Sequence, residues 1–242
     1  MSNERTQTSI RPINLIFDLN THVAGSVLYC SGNTKVLCQA TISDHTPRFI
    51  AKDQGWLTAE YAMLPAATNT RNDREVNRGK VTGRTAEIQR LIGRSLRSCF
   101  DLSLLPNKTL TIDCDVLQAD GGTRTAAING GVIAAILACQ KLQYDGTLSH
   151  DPLTKIIGAV SVGIKDGQVI SDIDYHLDES CDSDINVVMC EAGNIIEIQG
   201  TAEKQSFSPQ ILSKVVDQAW GNIQEIHKTI RKAIGQHSHH DG

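Results

Sequence analysis

LQADGGTRTAAINGG, residues 117–131, decides how the rest of the chain is read. An apolar run ends at Leu117. Gly121 and Gly122 follow, and then Thr123, Arg124 and Thr125 open a long stretch of small residues. A glycine turn leading into a helix leaves several backbone N–H groups without intrahelical acceptors, aimed at one point. The helix dipole adds partial positive charge there, so the point suits an anion, phosphate above all. The hydroxyls of Thr123 and Thr125 add donors, and the Arg124 guanidinium matches two phosphate oxygens at once. The plainer alternative is a tight turn followed by a threonine cap.

On the N-terminal side of this stretch, residues 108–117 alternate apolar and polar and read as a strand running into the glycine turn. Further back, strands are expected over 13–17, 25–30 and 34–42, the last two joined as a hairpin through Ser31-Gly32-Asn33. A half-buried strand over 56–63 stops before Pro65, after a polar loop over 44–54. Residues 68–80 hold three arginines and three asparagines, with Val76 the one apolar side chain, and read as an exposed basic loop. Thr82 caps a helix over 83–99 whose apolar stripe includes Ile88, Leu91, Ile92 and Leu96. Arg84 lies in its first turn, where the dipole disfavours a cation. A nearby anion explains that position, and so does a salt bridge to a glutamate.

On the C-terminal side a helix is expected over 123–142, and its glycines and alanines permit close approach to a sheet. Two hairpins follow: 156–164 with 168–175 across Asp166-Gly167, and 185–190 with 194–199 across Ala192-Gly193. Ser208-Pro209 opens the last helix, with apolar residues from Ile211 to Ile230 along one broad stripe. The order of strands, helix, strand, long helix, hairpins and helix is that of an α+β protein with a mixed sheet. Each half runs strands and then helix, which suggests a duplicated β-α unit. A single domain is expected over 1–242, with 1–9 and 236–242 as mobile tails.

The 242 residues are 40% hydrophobic and 21% charged, an ordinary globular balance. No run of 18 apolar residues suggests a membrane span, and the polar N-terminus does not read as a signal peptide. Seven cysteines without C-x-x-C spacing speak against a disulfide framework or a zinc site and place the chain in the cytoplasm. His22, His45 and His176 carry no motif and read as structural or surface residues, and the tail HSHHDG reads as a mobile end. Net charge is −4, but its distribution is uneven. Residues 71–97 carry eight Lys and Arg against Asp73, Glu75 and Glu87, while residues 166–191 carry eight acids and no Lys or Arg. One basic and one acidic block point to an anionic substrate and a divalent cation; the simpler reading is two solvated faces.

Five blocks, QGWLTAEYAMLP (54–65), GRTAEIQRLIGRSLR (83–97), LQADGGTRTAA (117–127), DINVVM (184–189) and EIQGTAE (197–203), together resemble bacterial ribonuclease PH over roughly residues 10–230. The resemblance implies a ribosomal protein S5 domain 2-like fold. It implies a phosphorolytic 3′→5′ exoribonuclease, a reversible transfer RNA nucleotidyltransferase, that uses inorganic phosphate to remove nucleotides beyond the CCA end of transfer RNA precursors. Nucleoside diphosphates are released, and the resemblance leaves open whether ribosomal RNA is a further substrate. It also implies a homohexamer, a trimer of dimers, with no membrane or DNA partner. Carried over residue by residue, phosphate falls to Arg84, Gly122, Thr123 and Arg124. Catalysis and Mg2+ fall to Asp178 and Asp184, and ring contacts or transfer RNA to Arg71, Arg74 and Arg78. The sequence departs from the pattern at Asn33, usually aspartate, at Leu177-Asp178-Glu179, usually E-D-S, and at Cys190, often threonine. The second departure leaves open whether Glu179 shares the role of Asp178.

The residues suit that chemistry. An anionic nucleophile attacking a phosphodiester needs both charges neutralised. Arg84, Arg124 and the helix N-terminus serve the first, and a divalent ion on Asp178 and Asp184 the second. No Ser-His or Cys-His pair stands placed as a protein nucleophile. Two other readings are a non-catalytic RNA-binding ring subunit of an exosome-like assembly and a small-molecule kinase. The four charged residues speak against the first, and the short glycine turn and basic loop against the second.

Overall fold

The computed structural model describes residues 8–51 and 53–237, and within them all side chains but those of Val76 and Arg78. Most of both expected tails, at 1–7 and 238–242, therefore lies outside the described residues.

The first half contributes β1 (Ile13–Phe17), β2 (Gly25–Ser31), β3 (Thr34–Ser43), β4 (Trp56–Met63), α1 (Gly83–Arg97) and β5 (Thr109–Gln118). Its five strands form one sheet in the order β1-β2-β3-β5-β4. β4 joins β5 in parallel and the other pairs are antiparallel, so this sheet is mixed. α2 (Thr123–Tyr144) follows, and then β6 (Ile157–Lys165), β7 (Gln168–Ser171), α3 (Tyr175–Ser180), β8 (Ser183–Cys190), β9 (Ile195–Ala202) and α4 (Pro209–His237). The second sheet, in the order β7-β6-β8-β9, is antiparallel throughout.

α2 is the centre of the packing. Residues 125–139 are buried without a break. An amphipathic helix needs one wall to lie on, but a helix apolar on every side needs several. α2 lies against β2, β3 and β5 of the first sheet, against β6 of the second and against α1. It is long and apolar enough to cross a membrane by composition, and 83% of that stretch is buried inside the protein. Gly130 lets the sheet come close: a Cβ there would stand 2.6 Å from Cys38 Sγ and 3.0 Å from Tyr29 Cβ. α1 covers β4, and α4 covers the second sheet along β6 and β7. One continuous apolar core spans both sheets.

Polar groups fix how the parts meet. Asn129, midway along α2, donates to Ala159 O at 2.9 Å and accepts from Ala159 N at 2.8 Å, as another strand residue would. Its Nδ2 also reaches Tyr29 Oη at 3.2 Å, so one buried amide links β2, α2 and β6. Arg11, 6% exposed, lies across the junction of the two halves. Its backbone N–H donates to Asp172 Oδ2 at 2.6 Å, its Nε to the same oxygen at 3.0 Å, and its Nη2 to Asp172 Oδ1 at 2.7 Å. Its Nη1 donates to Asp120 O at 2.5 Å.

Most expected elements appear within a residue or two of their limits. The largest difference is after β7, expected to run to Tyr175. The strand ends at Ser171 because Asp172 turns into the left-handed region at φ 48°, where its carboxylate receives Arg11. Asp174 then caps α3, accepting from Leu177 N at 2.9 Å. α1 ends at Arg97 rather than Cys99, with Ser98 as its C-cap.

Removing one partner of a buried ion pair strands the other charge, at a cost of about 3–5 kcal/mol. Asp172→Ala is expected to lose that much in urea unfolding. Arg94→Ala, which breaks the partly exposed Arg94–Glu197 pair, should lose less than about 1 kcal/mol. Equal losses would contradict the weight given to Arg11–Asp172.

Candidate active site

The 117–131 stretch forms its glycine turn through two left-handed residues, Gly121 at φ 70° and Gly122 at φ 62°. Any side chain at Gly121 would strike backbone, since its Cβ would lie 2.4 Å from Ile173 O. Gly122 is the N-cap of α2, without a side-chain cap bond, so Thr123 is the first helical residue rather than the cap. The first intrahelical bond runs from Ala126 N to Gly122 O at 2.9 Å. The N–H groups of Thr123, Arg124 and Thr125 therefore have no intrahelical acceptor.

The carbonyl side of the turn is tied down from three directions. Arg11 Nη1 holds Asp120 O, and Thr34 Oγ1 donates to Gly121 O at 2.7 Å. Asp120 accepts from Asn33 Nδ2 at 3.0 Å and from Tyr175 N at 3.3 Å. With the oxygens engaged outside, the turn presents its N–H groups to the cavity it borders.

That cavity holds about 940 Å³ and is lined by Arg84, Gly122, Thr123, Arg124, Asp178 and Asp184. A smaller one of about 320 Å³ shares Arg84, Arg124, Asp178 and Asp184 and adds Glu179, Gln199 and Glu203. The structure thus brings together all six residues assigned above to phosphate and to catalysis. Arg84 has no ion-pair partner among the described residues, so the glutamate bridge considered above does not form. The acid that α1 lacks in its first turn comes from outside it. Glu75 accepts from Thr82 Oγ1 at 2.9 Å and from Thr85 Oγ1 at 2.6 Å, while Thr82 Oγ1 accepts from Thr85 N at 3.2 Å. Glu87 instead receives a hydrogen bond from Gln199. Arg124 Nε is buried with no hydrogen-bond partner, a charged donor in need of an acceptor.

Asp178 sits on α3, not on a strand, and Asp184 on β8. The Asp178 carboxyl is pushed up by burial first and then by the charges of Asp184 and Glu203, while Arg84 and Arg124 pull it back. Glu179 faces only the smaller cavity, and its carbonyl accepts from Lys204 Nζ at 2.8 Å. Among the described residues no group of three or more His, Cys, Asp or Glu converges to hold a metal.

One expectation is corrected, and other residues take their places around the cavity. Thr125 does not serve an anion: it is buried and its hydroxyl donates to Gly122 O at 2.9 Å. His176, taken from sequence as structural or surface, lines the main cavity beside Tyr175. Arg71 and Arg74 do not reach the cavity; Arg71 is exposed, 3.5 Å from Asp73. Their loop instead lends Thr68, Asn69, Thr70 and Asn72 to the cavity wall. The side chain of Arg78 lies outside the described residues. Farther along α1, Arg97 is structural, donating to Leu57 O at 2.9 Å and stacked over Trp56.

The chain belongs to the 3′ exoribonuclease family: residues 9–141 match its domain 1 and residues 155–221 its domain 2. The fold is shared with Rrp46 of rice (Oryza sativa), with a TM-score of 0.78 at 19% identity over 97% of this chain and 100% of that one. An archaeal exosome core gives 0.77 at 16% identity, covering 94% and 89%. The Archaeoglobus fulgidus exosome with RNA bound to the active site gives 0.80 at 17%, covering 94% and 91%.

A carboxyl with a raised pKa is ionised at neutral pH at the expense of folding: the native state holds its proton more tightly, so stability falls as pH rises through that range. Asp178→Asn is therefore expected to unfold at a higher temperature than wild type at pH 7.5 without divalent cations. The gain should shrink as pH falls toward the carboxylate range. A gain independent of pH would refute the upward shift of the Asp178 carboxyl.

Proposed function

We propose that the chain is a phosphorolytic 3′→5′ exoribonuclease of the ribonuclease PH type, which trims transfer RNA precursors beyond the CCA end with inorganic phosphate. The observation that carries this is the meeting of two cations and an open helix N-terminus with two carboxylates in one cavity. Arg84, Arg124 and the α2 N–H groups bind and orient inorganic phosphate. An oxygen of that phosphate attacks the phosphorus of the last linkage. The bond from phosphorus to the 3′ oxygen of the preceding nucleotide breaks, and that oxygen takes up a proton. The products are a nucleoside diphosphate and an RNA one nucleotide shorter.

Asp178 and Asp184 would hold a divalent cation, Mg2+ above all. They are hard oxygen donors, and burial followed by the charges of Asp184 and Glu203 pushes the Asp178 carboxyl up despite the nearby arginines. Such an ion would supply charge neutralisation at the reacting phosphorus oxygens. Two carboxylates leave most of its coordination to water and substrate, as Mg2+ prefers.

The exposed basic loop, Arg71 and Arg74 included, fits ring contacts and transfer RNA in a homohexamer arranged as a trimer of dimers. Seven free, buried cysteines fit a reducing compartment, the cytoplasm. A non-catalytic ring subunit is the second reading, favoured by the shared fold with exosome proteins. It gives no reason for four charged residues to converge.

A transfer RNA with a few extra 3′ nucleotides, incubated with the protein and Mg2+, should shorten only when inorganic phosphate is added and should yield nucleoside diphosphates. Monophosphates formed without phosphate would mean hydrolysis, and tight binding without shortening would support the second reading. Arg124→Ala should raise the phosphate requirement at least about tenfold while RNA still binds. Arg71→Ala or Arg74→Ala should weaken hexamer assembly or transfer RNA affinity with phosphate binding intact, as sedimentation and titration would read.

A further inference from the structure

Tyr61, on β4, is 5% exposed, and its hydroxyl donates to Thr123 Oγ1 at 2.9 Å. Among the described residues this is the phenol's one hydrogen bond. Its ring packs in the main core, while Thr123 is partly exposed and borders the main cavity. A buried phenolic proton needs an acceptor, and Thr123 Oγ1 is the one within reach. A threonine hydroxyl has one proton and two lone pairs. With a lone pair committed to Tyr61, the hydroxyl cannot turn its proton toward the phenol without leaving the phenolic proton unpaired. The proton is thereby directed away from the core, toward the cavity.

The geometry points to Tyr61 as a positioning residue that fixes Thr123 Oγ1 as a hydrogen-bond donor to the phosphate held at the α2 N-terminus. The inference rests on the phosphorolytic reading of the site. Arg84 and Arg124 supply charge and can pivot on long side chains. The Tyr61–Thr123 pair supplies a neutral donor with one direction, set by a strand of the first sheet. It favours an oxyanion over any ligand group that itself donates, so the site takes phosphate in a fixed orientation. Burial pushes the phenol's titration upward, which favours the protonated, donating form.

The test is a double-mutant cycle on Tyr61→Phe and Thr123→Val, read in phosphate kinetics and in calorimetric binding of inorganic phosphate without RNA. Tyr61→Phe keeps the ring and the packing. It should raise KM for phosphate about three- to tenfold, the scale of one hydrogen bond, with the effect on KM rather than on kcat at saturating phosphate. RNA affinity without phosphate should not move. Thr123→Val should raise KM at least as much, the double variant should rise no further than Thr123→Val, and Thr123→Ser should restore wild-type behaviour. A Tyr61→Phe enzyme with the wild-type phosphate KM would overturn the inference, as would two effects that multiply. If wild type shortens RNA without phosphate yet binds phosphate in calorimetry, the functional reading fails, while the binding cycle still decides the role of Tyr61.

Discussion

The ion pair between Arg11 and Asp172 is the constraint on which the site depends. Arg11 comes from the segment before β1, Asp172 from the end of β7, and the same guanidinium holds Asp120 O on the glycine turn. Asp120 and Asp172, 109 and 161 residues from Arg11 in the sequence, thus share one buried cation. Desolvating such a charge is expensive, and only a complete set of acceptors offsets it. The reward is orientation. Once the turn's oxygens are engaged by Arg11 and Thr34, its N–H groups and the start of α2 have one direction left to face. The left-handed turn at Asp172 that ends β7 also starts the short helix bearing Asp178, so the pair sets both the anion side and the acid side of the cavity.

The site is a concentration of unresolved charge. Arg84 has no ion-pair partner among the described residues, Arg124 has an unpaired buried nitrogen, and Asp178 is crowded by Asp184 and Glu203. A chain selected for stability alone would neutralise these groups. Elsewhere this one does so, with Arg94 on Glu197 and Arg97 on Trp56 and Leu57 O. The contrast runs along one helix: Arg84 at the start of α1 has no ion-pair partner among the described residues, while Arg94 and Arg97 at its end are engaged.

Much of this was legible in the residues. Alternation and turn chemistry located the strands, because strand period and glycine turns are local properties. The glycine turn was legible because two glycines between an apolar strand and a Thr-Arg-Thr run break the strand and open a helix. What the sequence hid was long-range or two-sided. Arg11 fell between the expected tail over 1–9 and the strand over 13–17 and drew no reading, since nothing near it in sequence reveals a partner at Asp172. Thr125 looked like a donor, but helical geometry turns its hydroxyl back onto Gly122. His176 has no motif, and enters the cavity wall because α3 carries it there. That helix was missed because six residues are too few for periodicity, although Asp174 was a capping signal. Asn129 gave no sign of bridging two sheets, because a buried amide in a helix resembles any polar interruption.

α2 has a further consequence, for the order in which the molecule can be made. With residues 125–139 buried on every side, this helix has no face fit for water until β6 has been added beyond it. A chain emerging from the ribosome up to Tyr144 would carry the whole glycine turn, Arg84 and Arg124, yet would have nowhere to settle the helix that opens at that turn. The acids follow later still, on α3 and β8. Assembly of the cavity is therefore tied to completion of the second sheet, and an unfinished chain holds basic residues and a sticky apolar segment but not the acids that face them. Folding and assembly of the cavity become one event, and premature termination yields a product for the chaperones and proteases.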